Sequence, residues 1–322
     1  MKLAPTSAYV PSAYQLLAVP AGAPAPNVSQ APLSPDVYTQ TQSQQSQQPQ
    51  APRPPRRARI HAVATAPMVV GRTSDPRLTE ISGVVASPSR PDTYWVHNDS
   101  GDTPRIFSLN EHGDVLSEVT VKNATAFDWE DIAMGPGSRP GVSAVYVADT
   151  GDNLHVRQSV QVYRFDEPSA TDTSATAQRL DFKFPDHLPH NIESVFIDPR
   201  SGDLMMVLKH NMNGAALYRA PKAMVEAGGG RLENAGTLDI GPLATGADIS
   251  SDGSQIVVRT YQHAYTWQRG ADQSIADAMH VTPKVYNVPS SEAIGFTRDS
   301  NSWISISEGV NVPVYKIPVP GR

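Results

Sequence analysis

The fold is decided by a short segment that recurs five times: Ser82-Gly83-Val84-Val85, Glu130-Asp131-Ile132-Ala133, Glu193-Ser194-Val195-Phe196, Ala247-Asp248-Ile249-Ser250 and Glu292-Ala293-Ile294-Gly295. Each copy belongs to a short apolar run of the kind that forms a buried strand. Successive copies lie 45 to 63 residues apart. Self-similarity at this period is typical of propeller blades. The recurrence therefore predicts a ring of similar small sheets.

Two further strands follow each copy of the repeat. Turn residues such as Asp198-Pro199-Arg200-Ser201-Gly202-Asp203 separate the first strand from the second. The third strand carries one aromatic residue in every copy, and we expect these rings to pack between blades rather than to bind a ligand. The second strands are predicted at residues 93–97, 144–148, 204–208, 255–259 and 303–307, and the aromatic residues are Phe107, Tyr163, Tyr218, Tyr265 and Tyr315.

The way the ring closes can also be predicted. Four copies continue into a fourth strand, but the fifth copy ends after its third strand at residues 313–317. An unpaired edge there would be open to association. Residues 61–70 form an extra apolar strand ahead of the first repeat, which can pair with that edge. We therefore predict an all-β, five-bladed β-propeller closed by an N-terminal strand; six blades are the alternative if residues 168–189 hold a short one.

Residues 1–59 differ from the rest of the chain in composition. They are rich in proline, glutamine, serine and alanine, and they end in the basic run Arg53-Pro54-Pro55-Arg56-Arg57. A segment of this kind buries too little apolar area to offset its chain entropy. We therefore predict a disordered tail at residues 1–59 and a propeller domain at residues 60–322.

The same tail bears on where the protein acts. Its longest aliphatic run, Leu16-Leu17-Ala18-Val19, is too short for the apolar core of a standard signal peptide. Its low charge and its Ser, Thr, Pro and Gln content resemble the leaders of proteins delivered by bacterial type III secretion. That resemblance implies a protein secreted without a standard signal peptide, into a host cell. A cytoplasmic protein with a solvated linker is the alternative.

Charge and cysteine content exclude several classes of function. The chain has a net charge of −6 and no cysteine, so it has no disulfide, thiolate metal site or cysteine nucleophile. The acidic balance argues against nucleic acid as a partner. No apolar run reaches the roughly eighteen residues of a membrane-spanning helix. We expect a monomer, and no short catalytic or phosphate-binding motif is present in the sequence.

Acidic residues recur at the start of the predicted first strands. Because the first strand of each blade lines the central channel, we expect these acids to converge on one mouth. Like charges gathered there need a cation, a basic partner or a shared proton. An alternative is a ring of internal ion pairs that joins neighbouring blades. We predict a ligand-binding mouth formed by His97, Glu193, Lys209, His210, Asp248, Arg259, Glu292 and Glu308.

Two loops at corresponding positions of the first two blades are rich in Asp and Asn. They are Asn98-Asp99-Ser100-Gly101-Asp102 and Asp149-Thr150-Gly151-Asp152-Asn153. Calcium binds about six to eight oxygen atoms, which such loops can supply. Tight turns that cap their own backbone explain the same residues without a metal. We predict a calcium site, with calcium as the cofactor, formed by Asp99, Glu130, Asp131, Asp149 and Asp152.

Several motifs extend over nearly the whole chain after Ile81: Ile81-Ser82-Gly83-Val84, Trp95-Val96-His97-Asn98-Asp99-Ser100-Gly101, Asp128-Trp129-Glu130-Asp131-Ile132, Asp149-Thr150-Gly151-Asp152-Asn153, Thr245-Gly246-Ala247-Asp248, Arg259-Thr260-Tyr261, Ser291-Glu292-Ala293-Ile294 and Ser307-Glu308-Gly309. Together they resemble a family of exported bacterial β-propeller proteins of unassigned function and, more weakly, propellers of the esterase-like or phytase-like kind. The chain departs from that family in its N-terminal tail, and in having Asn191 where relatives tend to have an acid.

Three classes of function remain open. A binding module or host-directed effector would use the mouth to hold a protein, a small molecule or a carbohydrate. A metal-dependent phosphoesterase would use bound cations to polarise phosphate. A glycoside hydrolase would use a pair of channel carboxylates. The absence of a short catalytic motif favours the first class: a secreted bacterial β-propeller, an effector in virulence, that binds its partner or ligand at an acidic channel mouth.

Overall fold

The computed structural model describes residues 62–210 and 212–321. The predicted tail at residues 1–59 lies outside the described residues. The strands are β1 (Val63–Ala64), β2 (Met68–Thr73), β3 (Ile81–Ala86), β4 (Tyr94–Asn98), β5 (Arg105–Leu109), β6 (Val115–Lys122), β7 (Trp129–Pro136), β8 (Ser143–Asp149), β9 (Val160–Asp166), β10 (Ser174–Thr176), β11 (Gln178–Lys183), β12 (Ile192–Ile197), β13 (Leu204–Leu208), β14 (Ala215–Ala220), β15 (Gly229–Arg231), β16 (Glu233–Leu238), β17 (Ala244–Ile249), β18 (Gln255–Thr260), β19 (His263–Gln268), β20 (Lys284–Asn287), β21 (Ala293–Phe296), β22 (Ser302–Ile306) and β23 (Val312–Pro318). Two helices, α1 (Lys222–Glu226) and α2 (Ile275–Met279), accompany them, and neither is long enough to cross a lipid bilayer.

The described strands form five sheets, each built on four antiparallel strands. From the innermost strand outward, blades 1 to 5 are β3-β4-β5-β6, β7-β8-β9-β11, β12-β13-β14-β16, β17-β18-β19-β20 and β21-β22-β23-β2. Short parallel strands extend three outer edges: β10 in blade 1, β15 in blade 2 and β1 in blade 4. The predicted five-bladed propeller is confirmed. Residues 168–189 contain β10 and β11 rather than a sixth blade.

The N-terminal strand closes the ring as predicted. β2 pairs antiparallel with β23, from Met68 opposite Lys316 to Thr73 opposite Val312. The predicted closing strand at residues 61–70 is divided, because its first part forms β1 and pairs with β20 in blade 4 instead. Pro67 lies between the two strands, and proline cannot donate a ladder hydrogen bond. The fifth blade thus combines strands from both ends of the described chain.

The apolar core lies between the blades. Five clusters of buried side chains occur, and each one joins two neighbouring blades. The aromatic residue of every third strand belongs to a cluster or packs against one, which confirms that these rings lie between blades. Because each sheet packs between two neighbours, its inner strands are almost wholly buried, whereas outer strands such as β11 alternate between buried and exposed residues.

Two buried aspartates join the inner strands across the channel. The Asp131 carboxylate accepts hydrogen bonds from the backbone N–H groups of Ile132, of Val195 in blade 3 and of Ala247 in blade 4, at 2.9, 2.9 and 3.1 Å. The Asp248 carboxylate accepts the N–H of Ile249 at 2.8 Å and that of Phe296 in blade 5 at 2.7 Å. The channel side of an inner strand has no strand neighbour, so buried N–H groups there require such acceptors.

We expect ring closure to dominate the stability of the propeller. A chain that begins at Ser74 lacks β1 and β2, and it should lose at least about 3 kcal/mol, or roughly 6 to 12 °C in Tm, relative to a chain that begins at Ala58. Its unpaired β23 edge should also promote self-association. Calorimetry and size-exclusion chromatography measure both effects. Equal Tm values for the two chains would contradict the closing role of β2.

Candidate functional site

An irregularity occurs at the start of the inner strand in four of the five described blades, at the same end of the channel. The pairing with the second strand shifts register at Ser82, Glu130, Glu193 and Thr245 in blades 1 to 4. A β-bulge of this kind re-aims the side chain of the extra residue. Two of the four are glutamates, and Glu292 stands just before the inner strand of blade 5. We call the end of the channel where the inner strands begin the acidic mouth.

Asp248 does not lie at the acidic mouth, contrary to our expectation. The bulge of blade 4 is at Thr245, which is therefore the counterpart of Glu130, and Gly246 is the counterpart of Asp131. Asp248 stands two residues further along its strand. The alignment from sequence was wrong by two residues because the dipeptide Asp-Ile occurs at both Asp131 and Asp248. Asp248 instead lines a cavity at the opposite end of the channel.

Three carboxylates from blades 1 and 2 form the most compact acidic group. Asp99 follows β4, Asp128 precedes β7 and Glu130 lies in β7, and one oxygen from each lies within 4.8 Å of the others. Glu130 is only 3% exposed. Among the described residues, the hydrogen-bond partner of its carboxylate is another carboxyl group, that of Glu193. We call Asp99, Asp128 and Glu130 the carboxylate cluster.

Burial and mutual repulsion shift the ionisation of the carboxylate cluster. Burial raises the pKa of Asp99 to about 7, and the negative charges of Asp128, Glu193 and Glu292 add to the shift. Burial likewise raises the pKa of Asp128, and raises that of Glu130 well above its ordinary value. A full set of ionised groups at neutral pH thus requires a compensating positive charge.

Gly151 covers the carboxylate cluster from the adjoining loop. A Cβ atom at this position would overlap Glu130 Oε1 and Asp128 Oδ2. The contacted atoms belong to buried or half-buried side chains, so they have little room to move aside. The loop after β8 therefore requires glycine at the point where its backbone approaches the carboxylates.

Lys209 is the basic residue that faces the acids of blade 3. Its Nζ lies 2.8 Å from Glu193 Oε1, and the Asn191 amide donates to the same oxygen at 2.9 Å. Burial lowers the pKa of Lys209, but the charge of Glu193 outweighs that effect and the pKa is raised. Lys209 is therefore protonated and forms an ion pair with Glu193. The neighbouring His210 is exposed.

Blade 5 and blade 4 contribute a second acidic group. Burial and the adjacent charge of Glu292 raise the pKa of Glu308 to about 8. Burial raises the pKa of Tyr261 from blade 4, and contact with Glu292 adds to that shift. Glu308 thus keeps its proton at neutral pH. The described acidic mouth as a whole brings together six carboxyl groups and one lysine: Asp99, Asp128, Glu130, Glu193, Glu292, Glu308 and Lys209.

The other predicted metal ligands are held by protein donors. Asp131 spans the channel, as described above. Asp149 pairs with Arg157 at 2.9 Å and accepts the backbone N–H of Asp128 at 3.1 Å. Asp152 accepts the N–H groups of Val156 and Arg157 at 2.9 and 2.8 Å, so it caps its own loop. The structure thus brings Asp99 and Glu130 together and places the remaining three in structural hydrogen bonds.

His97 and Arg259, predicted at the ligand-binding mouth, lie inside the protein. His97 is fully buried edge-on against Trp129, with ring centroids 5.7 Å apart, and burial lowers its pKa to about 4. Arg259 is fully buried and donates to Ser291 Oγ and Ser305 Oγ, both at 2.6 Å. Burial lowers its pKa to about 9. Both side chains support the wall of the mouth from behind.

Sequence reasoning missed Asp128 and Tyr261 as residues of the mouth. Asp128 stands two residues before Glu130, and Asn191 stands two residues before Glu193. Aligning the repeats on their bulged glutamates therefore places Asp128 and Asn191 at one polar position. Tyr261 follows the second strand of blade 4, as Asp99 does in blade 1, so the same alignment would have identified it.

Comparison with protein-family models finds no match, and comparison with curated proteins finds none either. The geometry and electrostatics of the acidic mouth are therefore the basis for inferring function. Fold alone would not supply one, because propellers carry many unrelated activities.

We expect Lys209→Met to destabilise the protein by about 3 kcal/mol, because it leaves the buried Glu193 carboxylate without its counter-ion. The double variant Lys209→Met, Glu193→Gln should recover most of that loss, since no charge is then left unpaired. Urea denaturation of the two variants and the wild type measures the free energy of unfolding. Equal destabilisation in the single and double variants would contradict the ion-pair role of Lys209.

We expect the free energy of unfolding to fall as the pH rises from about 5 to 8 in the presence of chelator. The folded protein keeps protons on Asp99, Asp248 and Glu308, whose pKa values are raised to about 7, 7 and 8. The unfolded chain has lost them by about pH 5, so the stabilisation disappears as the pH passes through the folded-state values. Urea denaturation across this pH range measures the free energy of unfolding. Asp248→Asn should show a smaller decrease with pH than the wild type. A flat or rising profile would contradict these assignments.

Proposed function

We propose that this chain is a secreted bacterial β-propeller that binds a divalent cation, calcium, at its acidic mouth and uses it to hold a ligand. The carboxylate cluster is the observation that supports this most directly. Its oxygens lie within 4.8 Å of one another. Two oxygens bound to one calcium ion at about 2.3 to 2.6 Å are at most roughly 5 Å apart, so the spacing suits a shared cation.

The surroundings of the cluster also support a cation. The described ion pairs engage Lys209 with Glu193 and Arg157 with Asp149, so neither lysine nor arginine pairs with the cluster itself. Without a cation, burial and, after it, the charges of neighbouring acids raise the pKa values of Asp99 and Glu130. Calcium would relieve both, and its remaining coordination positions would be open to oxygen atoms of a ligand.

The loops around the acidic mouth offer apolar area to a bound partner. Phe127, Leu154, Val156 and Leu188 are 60 to 82% exposed, and all four lie in loops that lead into or out of blade 2 or 3 at this end. Arg157 lies over the Phe127 ring, with 5.0 Å between Cζ and the ring centroid. An exposed apolar border around a polar centre is typical of a recognition surface. This favours a protein or carbohydrate ligand with oxygen groups for the cation.

Calcium should stabilise chelator-treated protein. At a concentration of one hundred times Kd, binding adds about 2.7 kcal/mol to the free energy of unfolding, a rise of several degrees in Tm. Asp128→Asn should remove most of that rise, whereas the matched control Asp272→Asn, at an exposed site, should keep it. Scanning fluorimetry with calcium and with magnesium measures the shifts. An unchanged Tm at millimolar calcium, or an equal rise in both variants, would contradict the proposal.

A second candidate function, a hydrolase at the same mouth, is favoured by the pair Glu292 and Glu308. Burial and the neighbouring Glu292 raise the pKa of Glu308 to about 8, and paired carboxyl groups can serve as acid and base. Chromogenic phosphate esters and glycosides, with and without chelator, test it. Turnover of phosphate esters that is lost on chelation would indicate a metal-dependent phosphoesterase. Turnover of glycosides that survives chelation and is lost in Glu308→Gln would indicate a glycoside hydrolase. No turnover on either panel would exclude this candidate for those substrates.

Delivery into a host by type III secretion is the part of the proposal that rests on composition. The support is the charge-poor N-terminal sequence with its Ser, Thr, Pro and Gln content. Residues 1–50 fused to a reporter enzyme should be exported by a bacterium with an active type III system. Export should stop when that system is disabled. Retention of the fusion in the cytoplasm would defeat the delivery claim without affecting the cation site.

A further inference from the structure

A second cavity lies at the end of the channel opposite the acidic mouth. It has a volume of about 260 Å³. Its wall is formed where the inner strands of all five blades end, so it lies on the axis of the ring. The wall is mainly apolar, and its central residues are Val85, Met134, Ile197, Asp248, Ile249 and Phe296. We call this space the distal cavity.

Asp248 places a buried carboxylate in this apolar wall. Its side chain accepts the N–H groups of Ile249 and Phe296, one on each oxygen, so each oxygen has room for a further donor. Asp248 has no salt bridge to any described basic residue, and Arg298 at the rim of the cavity is exposed. The Asp248 carboxyl group therefore lacks a counter-ion in this wall.

We propose that the distal cavity binds a small organic amine. The ammonium group would pair with Asp248, and the apolar part would lie against Met134, Ile197 and Phe296. Asp248 is the one carboxylate among the described residues of this wall, which is few for a metal ion, and a neutral apolar molecule would leave it without a counter-ion. The volume is slightly below the roughly 300 Å³ at which most ligand sites begin, so a single-ring or short-chain amine fits best. This site is independent of the cation site at the acidic mouth.

Benzylamine and benzyl alcohol are matched probes for this proposal, because they share a ring and differ in charge. Isothermal titration at pH 8, in a buffer with millimolar calcium for every variant, should show benzylamine binding at least about tenfold more tightly than the alcohol, a difference of about 1.4 kcal/mol. Asp248→Asn should abolish this preference for the amine. Ala86→Leu, which adds bulk to the cavity wall and keeps Asp248, should weaken binding of both probes.

Binding at the acidic mouth is excluded by a further variant. Asp128→Asn should bind benzylamine as the wild type does, because it alters only the carboxylate cluster. If Asp248→Asn fails to fold, Ala86→Leu alone decides the question. Equal affinity for amine and alcohol, unchanged binding in Ala86→Leu, loss of binding in Asp128→Asn, or no benzylamine binding at millimolar concentration would each overturn the proposal.

Discussion

The ring depends on the hydrogen bonds that the Asp131 carboxylate accepts from backbone N–H groups. Each inner strand turns one edge toward the channel, where no further strand can satisfy its backbone N–H groups. Asp131 accepts such groups from blades 2, 3 and 4, and Asp248 continues the connection to blade 5. An unsatisfied buried N–H costs about 1 to 3 kcal/mol, so these two side chains replace a missing strand at several positions. They also place two buried carboxyl groups on the axis of the protein.

Because of this constraint, the acids of the inner strands fall into two groups. Carboxylates that accept hydrogen bonds from backbone N–H groups, such as Asp131, have a structural role. Those on bulged residues or at strand ends, such as Glu130 and Asp99, point past the backbone into the acidic mouth, where they meet mainly other acids. The inner strands thus carry structural carboxylates along their length, whereas acidic groups are in excess of basic ones at the end where these strands begin. That imbalance is what a cation would correct.

Much of the fold could be predicted from sequence because it depends on local repetition. The recurring apolar runs predicted the five inner strands, and the missing fourth strand of the last repeat predicted closure by the N-terminal strand. The candidate site was harder, since it depends on one-residue bulges and on contacts between blades. Asp248 was misplaced by two residues because no sequence signal marks the bulge at Thr245. Asp128 was missed because its neighbour in space, Asp99, belongs to another blade.

The claim that the acidic mouth is a cation site is tested most directly by a crystal structure of protein grown with calcium, using anomalous diffraction to locate the ion. We expect a peak between Asp99, Asp128 and Glu130, about 2.3 to 2.6 Å from an oxygen of each. A clear map without a peak at this position would contradict the claim.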